Sequence, residues 1–220
     1  MKLLIVSATK FEVEPFLNKM DSVNAINSTF ISASYKNHQI DFLITGVGMV
    51  ATAYHITKAL FAKYDLAINA GICGSFNKNM ELGTVVNIYE DTFSELGAEG
   101  GDAFLSLEDL KLNGVQKVVV TPLAISNKSI DSIPKVSGIT VNTTHGNEQT
   151  IEKVVERFHP YVESMEGAAF LFACEQEYIP CIQLRAVSNY VEKRNKDAWN
   201  IPLAIENLNK QLIAIINDFN

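Results

Sequence analysis

The chain has 220 residues, 47% of them hydrophobic, and 25 acidic against 18 basic side chains leave a formal net charge of −7. That length and apolar content can bury a full core as one domain, 1–220. The acidic balance argues against a nucleic-acid backbone or an anionic membrane as partner, since both reward clustered Lys and Arg, and points to a small-molecule ligand.

Leu3-Leu4-Ile5-Val6 is a continuous apolar run, the pattern of a strand buried on both faces, and Phe11–Met20 turns helical after Ser7-Ala8-Thr9. Glu12 therefore falls just past the carboxyl end of the first strand. Because the apolar run is so short, it is no signal-peptide core, and no stretch approaches a bilayer-spanning length, so a cytoplasmic protein is expected. Ile31–Tyr35 and Gln39–Thr45 flank Lys36-Asn37-His38 as a hairpin, and Gly46-Val47-Gly48 leads into a helix over Met49–Lys63. Leu66–Asn69 reads as a strand entering the glycine-bearing turn Ala70–Ser75, where Gly74 lets backbone approach a ligand closely. Thr84–Phe93 is a long strand. The pattern then weakens over Glu95–Gly114, which reads as an irregular excursion rather than a linker.

Val118–Leu123 and Ile139–Val141 are short strands, and Asn142-Thr143-Thr144-His145-Gly146 is a polar turn into the helix Glu148–Phe158. Tyr161-Val162-Glu163 is a strand, Glu166–Tyr178 a helix of small and apolar residues, and Ile182–Val187 a strand ending in Ser188-Asn189. An amphipathic helix over Pro202–Asp218 closes the chain, with Pro202 in the first turn, where its missing N–H costs nothing. Alternating helices and strands without a polar face predict a three-layer α/β/α sandwich, and the hairpin makes its central sheet mixed. Three cysteines, Cys73, Cys174 and Cys181, show neither CxxC nor Cys/His ligand spacing; they read as free thiols in a reducing compartment, with no metal and no cofactor. His38, His55, His145 and His159 show no catalytic or metal spacing and read as structural or solvated.

Glu166 stands at a strand-to-helix junction, and Asn189 at a strand's carboxyl end, where open α/β sheets keep their ligand sites. SMEGAAF at Ser164–Phe170, RAVSNYVEKRNKDAW at Arg185–Trp199, the first strand with Glu12, and INAGICGS at Ile68–Ser75 together resemble the purine nucleoside phosphorylase and nucleosidase superfamily, and within it most closely the futalosine hydrolases. The resemblance covers nearly the whole chain and implies the phosphorylase/hydrolase-like fold, a homodimer, a purine nucleoside as substrate and a place in menaquinone synthesis by the futalosine route. GGDAF at Gly100–Phe104 looks like a nucleosidase motif but falls too early in the chain and is a chance match.

An ionised carboxylate can accept from both vicinal ribose hydroxyls, each such bond contributing roughly 1.5–3 kcal/mol, and amide dipoles at a helix N-terminus should keep Glu166 ionised. On spacing alone a solvated first-turn Glu suits the dipole as well; the resemblance implies that Glu166 holds the ribose with Met165 packed on the sugar. Breaking an N-glycosidic bond with water needs a base that orients and deprotonates the nucleophile. The resemblance gives that part to Glu12, with Glu14 as its rival because Lys10 and Phe11 replace the acids of the related motif. Asn189 stands where the methylthioadenosine/S-adenosylhomocysteine nucleosidases carry Asp. Its NH2 can donate to O6 of a 6-oxopurine while its carbonyl oxygen accepts from N7–H, whereas a 6-amino group would meet a second donor, so hypoxanthine is the expected leaving base.

The resemblance implies that phosphorylases of the superfamily surround the anion with arginines, one near the first strand-helix turn; this chain's arginines are Arg157, Arg185 and Arg194, none in the N-terminal half, so hydrolysis is preferred, although Lys10 offsets part of that absence. GVGMVATAY is neither GxGxxG nor a P-loop. Arg194 and Trp199 are either a mouth for the benzoate-bearing tail of futalosine, by ion pairing and stacking, or a surface cation and a packing aromatic. The resemblance implies that the loop of Asn142, Thr143 and Thr144 borders the base through its backbone. Two other readings stay open, a methylthioadenosine/S-adenosylhomocysteine nucleosidase or purine nucleoside phosphorylase, and a nucleoside-binding protein without catalysis.

Overall fold

A computed structural model describes residues 1–101, 103–112, 119–123 and 125–219. In chain order its elements are β1 (Lys2–Ser7), α1 (Lys10–Leu17), β2 (Ser22–Ala25), β3 (Phe30–Tyr35), β4 (His38–Ile44), α2 (Met49–Leu60), β5 (Leu66–Ser75), β6 (Val85–Phe93), β7 (Gly97–Gly100), β8 (Ala103–Ser106), β9 (Val119–Val120), α3 (Lys128–Asp131), β10 (Lys135–Thr140), α4 (Glu148–Phe158), β11 (Val162–Ser164), α5 (Gly167–Gln176), β12 (Cys181–Tyr190) and α6 (Ile201–Asn217). The expected mixed α/β architecture is present. Among the described residues the central sheet runs β11-β10-β6-β12-β5-β1-β4-β3-β2, with β9 on β6. Parallel pairs such as β1 with β4 and β5 stand beside antiparallel ones such as β3 with β4.

The apolar run of β1 explains the layering. Leu3 and Ile5 point into a cluster with Val13 and Phe16 of α1 and Leu208 and Leu212 of α6. Leu4 and Val6 point the other way, onto Ile56 and Leu60 of α2 and Phe170 and Leu171 of α5. Strand side chains alternate in direction, so a strand covered by helices on both sides has no polar face, and each of these buried side chains contributes roughly 1.5–3 kcal/mol.

The sheet also closes on itself at one end. β11 pairs in parallel with β10 and antiparallel with β5, completing a circuit of β5, β12, β6, β10 and β11. Closure leaves β11 no free edge, although it is only three residues long.

Three expectations need correction, and one strand was not expected at all. Ala70–Ser75 is not a turn but the second half of β5, held in strand by β12 and, at its end, by β11. β12 likewise continues through Ser188 and Asn189, with a register shift between Val187 and Asn189 of the kind that re-aims side chains beside active sites. The stretch after Glu95 contains the hairpin of β7 and β8, whose Phe104 lies under the Arg157 guanidinium of α4 at 4.2 Å. The edge strand β2, not among the expected elements, alternates Ser22 and Asn24 with Val23 and Ala25, but over only four residues, all of them exposed. Val118, Gly114 and Asp102 of the GGDAF stretch lie outside the described residues.

Candidate active site

One cavity of about 370 Å³ opens at the carboxyl ends of β1, β5 and β12 and is floored by β11 and the start of α5; Glu12, Gly74, Thr144, Met165, Glu166, Asn189, Arg194 and Trp199 all line it. Asn142 and Thr143 are not among the lining residues. They sit on Glu95, whose Oε2 accepts from Asn142 N and Nδ2, both at 2.9 Å, and whose Oε1 accepts from Thr143 N at 3.4 Å.

Glu12 occupies the third position of α1 behind the N-cap Thr9. Its Oε2 accepts from Ser7 Oγ, Thr9 N and Thr9 Oγ1, each at 2.9 Å, and its Oε1 from Ile72 N at 3.1 Å. The usual capping-box exchange thus has a second effect, because the carboxylate that satisfies the N-cap amide is fixed, buried, at the cavity wall. Oε1 keeps a lone pair for a ligand or water. Glu14 instead points to solvent and pairs with Lys10 at 3.3 Å, so neither reaches the cavity.

Glu166 is the N-cap of α5 and is 6% exposed. Its Oε1 accepts from Gly48 N at 3.1 Å, and its Oε2 lies 3.8 Å from Arg185 Nη2. Gly48 reaches it through a turn with φ of 99°, a conformation that favours glycine. Burial raises the Glu166 pKa above the ordinary carboxylate value; the Arg185 guanidinium and the Gly48 N–H act against that rise, and the charge of Glu12 adds to it. The expected lowering by the helix terminus is therefore outweighed by desolvation.

Arg185 is 1% exposed in the middle of β12, where Nη2 donates to Asn69 Oδ1. Room for it exists because residue 71 is glycine: a Cβ there would meet Arg185 Nη1 at 2.3 Å and Glu12 Oε1 at 3.0 Å. Sequence reasoning counted Arg185 only as one of three arginines. Its signal was a lone charge inside the apolar run Ile182–Val187, where burial demands acidic partners.

Asn189 projects beside Gly74. Its Oδ1 accepts from Ser188 Oγ at 2.8 Å and its Nδ2 donates to Tyr190 O at 3.0 Å, which leaves one N–H and one lone pair on the amide. Glu163, read from sequence only as part of a strand, also lines the cavity. At the mouth the exposed Arg194 lies over the Trp199 ring at 5.1 Å, beside the exposed Phe11 and Val47. Among the described residues no cluster of three metal-binding side chains occurs and no helix is long and apolar enough to cross a membrane.

The family model described as the phosphorylase superfamily matches residues 2–217. A futalosine hydrolase of Streptomyces coelicolor is 33% identical over 144 residues, covering 64% of this chain and 61% of that protein. One from Acidothermus cellulolyticus is 29% identical over 222 residues, covering 98% and 90%. Among solved structures, a 5′-methylthioadenosine/S-adenosylhomocysteine nucleosidase from Neisseria meningitidis, in complex with methylthio-immucillin-A, superposes with a TM-score of 0.82 over 98% of both chains. At 18% identity that likeness is one of fold.

Proposed function

The chain belongs to the phosphorylase superfamily, and from that premise we propose that it is an N-ribosyl hydrolase that cleaves futalosine to hypoxanthine and dehypoxanthine futalosine. The observation that carries this reading is the meeting of Glu12, Glu166 and Asn189, distant in sequence, in one cavity. Glu166, with Met165 beside it, takes the ribose hydroxyls; Glu12 takes the proton of the attacking water as positive charge develops on the sugar; the amide of Asn189 meets O6 and N7 of the departing purine. Arg185, close to Glu166 and in the shared field of both acids, offsets their mutual repulsion.

Hydrolysis is favoured over phosphorolysis because, among the described residues, the cations near the cavity are held by protein partners or stand at its rim, away from the two acids. Arg185 is held between Asn69 and Glu166, Arg194 stacks on Trp199 at the rim, and Lys10 pairs with Glu14 outside. Arg194 and Trp199 then receive the carboxylate tail of the substrate. We read residues 1–220 as one nucleosidase-like domain, working in the cytoplasm as a homodimer in menaquinone synthesis.

The methylthioadenosine nucleosidase reading is kept alive by the shared fold, and the amide at position 189 speaks against it. Purified protein given futalosine, inosine and methylthioadenosine, with and without phosphate, decides the matter. Phosphate-independent release of hypoxanthine from futalosine is expected; release of adenine alone, or strict dependence on phosphate, overturns the proposal.

A further inference from the structure

Gly74 is the register partner of two residues at once, Glu163 of β11 and Asn189 of β12. Three residues in one row across adjacent strands put their side chains on the same face of the sheet, and the middle one has none. A Cβ built on Gly74 would meet Val191 Cγ2 at 2.9 Å and lie 3.2 Å from Asn189 Nδ2 and 3.6 Å from Glu163 Cγ, so only a glycine lets the amide and the acid close in on either side of it, where all three line the cavity.

Glu163 is 4% exposed, and both its oxygens are already fixed by one residue: Oε1 accepts from His145 N at 3.0 Å and Oε2 from His145 Nδ1 at 2.6 Å. His145 rides on the turn before α4, next to Thr144 of the cavity wall. Held by two donors, the carboxylate presents only acceptor lone pairs to the cavity, so a ligand seated there must bring a donor. A 6-oxopurine carries one beside O6, at N1–H; a 6-aminopurine has an acceptor at the same ring position.

We propose that Glu163, oriented by His145, accepts the N1–H of the 6-oxopurine from the opposite side of Gly74 to Asn189. This rests on the nucleosidase reading above and sharpens it: discrimination against 6-aminopurines comes from two side chains, an amide at O6 and N7 and a carboxylate at N1. Each rejects the 6-amino base for its own reason, Asn189 by opposing donor to donor and Glu163 by opposing acceptor to acceptor.

The test is Glu163→Gln, assayed with futalosine and its 6-amino counterpart. The backbone N–H of His145 pins the new carbonyl oxygen, so the NH2 lies at the Oε2 position, between the imidazole and the cavity. kcat/KM for futalosine is expected to fall about 10- to 150-fold, the range for a hydrogen bond to a charged group, while the 6-amino compound changes by less than about 3-fold. Equal losses on both substrates would make Glu163 a structural partner of His145 and overturn the inference. If the unaltered protein itself prefers the 6-amino compound, the base assignment of the whole site falls and this inference with it; if it prefers futalosine and the variant keeps that preference, only Glu163 is misassigned. A second measurement needs no variant. In the complex with 15N-labelled hypoxanthine, the N1–H resonance is expected downfield and protected from exchange with water; a signal exchanging as in the free base would overturn the contact.

Discussion

At the α1 end of the cavity Glu12 takes four protein donors, whereas at the α5 end Glu166 takes only backbone N–H groups, that of Gly48 at 3.1 Å, and faces a guanidinium 3.8 Å away. The first carboxylate is held in place before any ligand arrives. The second is buried with capacity left over, and its pKa is raised as a result. A group that must direct a water gains from a fixed position, and a group that must grip two hydroxyls gains from unfilled lone pairs. The two ends are thus prepared for different events, one for the reaction and one for binding.

Altering the fixed end should have the largest effect. Glu12→Gln is expected to lower kcat by about two to four orders of magnitude with little change in ligand affinity, measured by titration with an unreactive nucleoside analogue. A parallel fall in affinity would mean that both acids bind and the contrast is false.

A third acid, Asp91, lies fully buried behind α5, where Oδ1 accepts from Thr140 Oγ1 at 2.8 Å and Oδ2 from Gln183 Nε2 at 2.9 Å. Burial outweighs these bonds and the Arg185 charge and pushes its pKa from 3.8 up to about 6. Between those values the unfolded chain has released a proton that the folded one keeps, so folding stability falls as pH rises through this window, by roughly 3 kcal/mol, and is flat above it. Asp91→Asn should abolish that slope in urea unfolding followed from pH 4 to 7, because Gln183 Oε1, which lacks a partner, can turn to accept from the new amide. An unchanged slope would assign the titration elsewhere.

Glu166→Gln removes one of two acceptors for the sugar, and KM is expected to rise about 10- to 100-fold with a smaller change in kcat. In the unaltered protein, binding should weaken as pH falls through the raised pKa of Glu166, at higher pH than an ordinary carboxylate would give; the variant should lose that limb. The smallest effect belongs to the rim, where Arg194→Met should raise KM for futalosine about 2- to 5-fold and leave inosine unaffected. Equal values for futalosine would leave Arg194 only its stacking on Trp199.

Much of the fold was legible because buried strands and amphipathic helices announce themselves by period, and α4 falls on Glu148–Phe158 as expected. What escaped was non-local. The pairing of β11 with β5 joins residues nearly ninety positions apart, and no local pattern encodes it. For the same reason β5 was ended too early, since Ala70–Ser75 stays extended only through partners far along the chain. At the site, Glu12 and Glu166 stood at strand-to-helix junctions, where a solvated first-turn acid fits equally well, and it was the resemblance that singled them out. Glu163 and Arg185 did not stand out, because their meaning comes from what faces them: Gly74 and His145 for one, Asn69 and Glu166 for the other.

The closed circuit of strands has a bearing on traffic. β11 is laced to a neighbour on each side, so the floor that carries Glu163 and Ser164 and launches α5 cannot swing away without tearing two ladders. The opposite rim is made of Phe11, Val47 and Trp199, side chains on a helix start and two loops with no such lacing. On the proposed reading, substrate would arrive and base depart past that apolar lip, while the laced floor holds the row of Glu163, Gly74 and Asn189 in register.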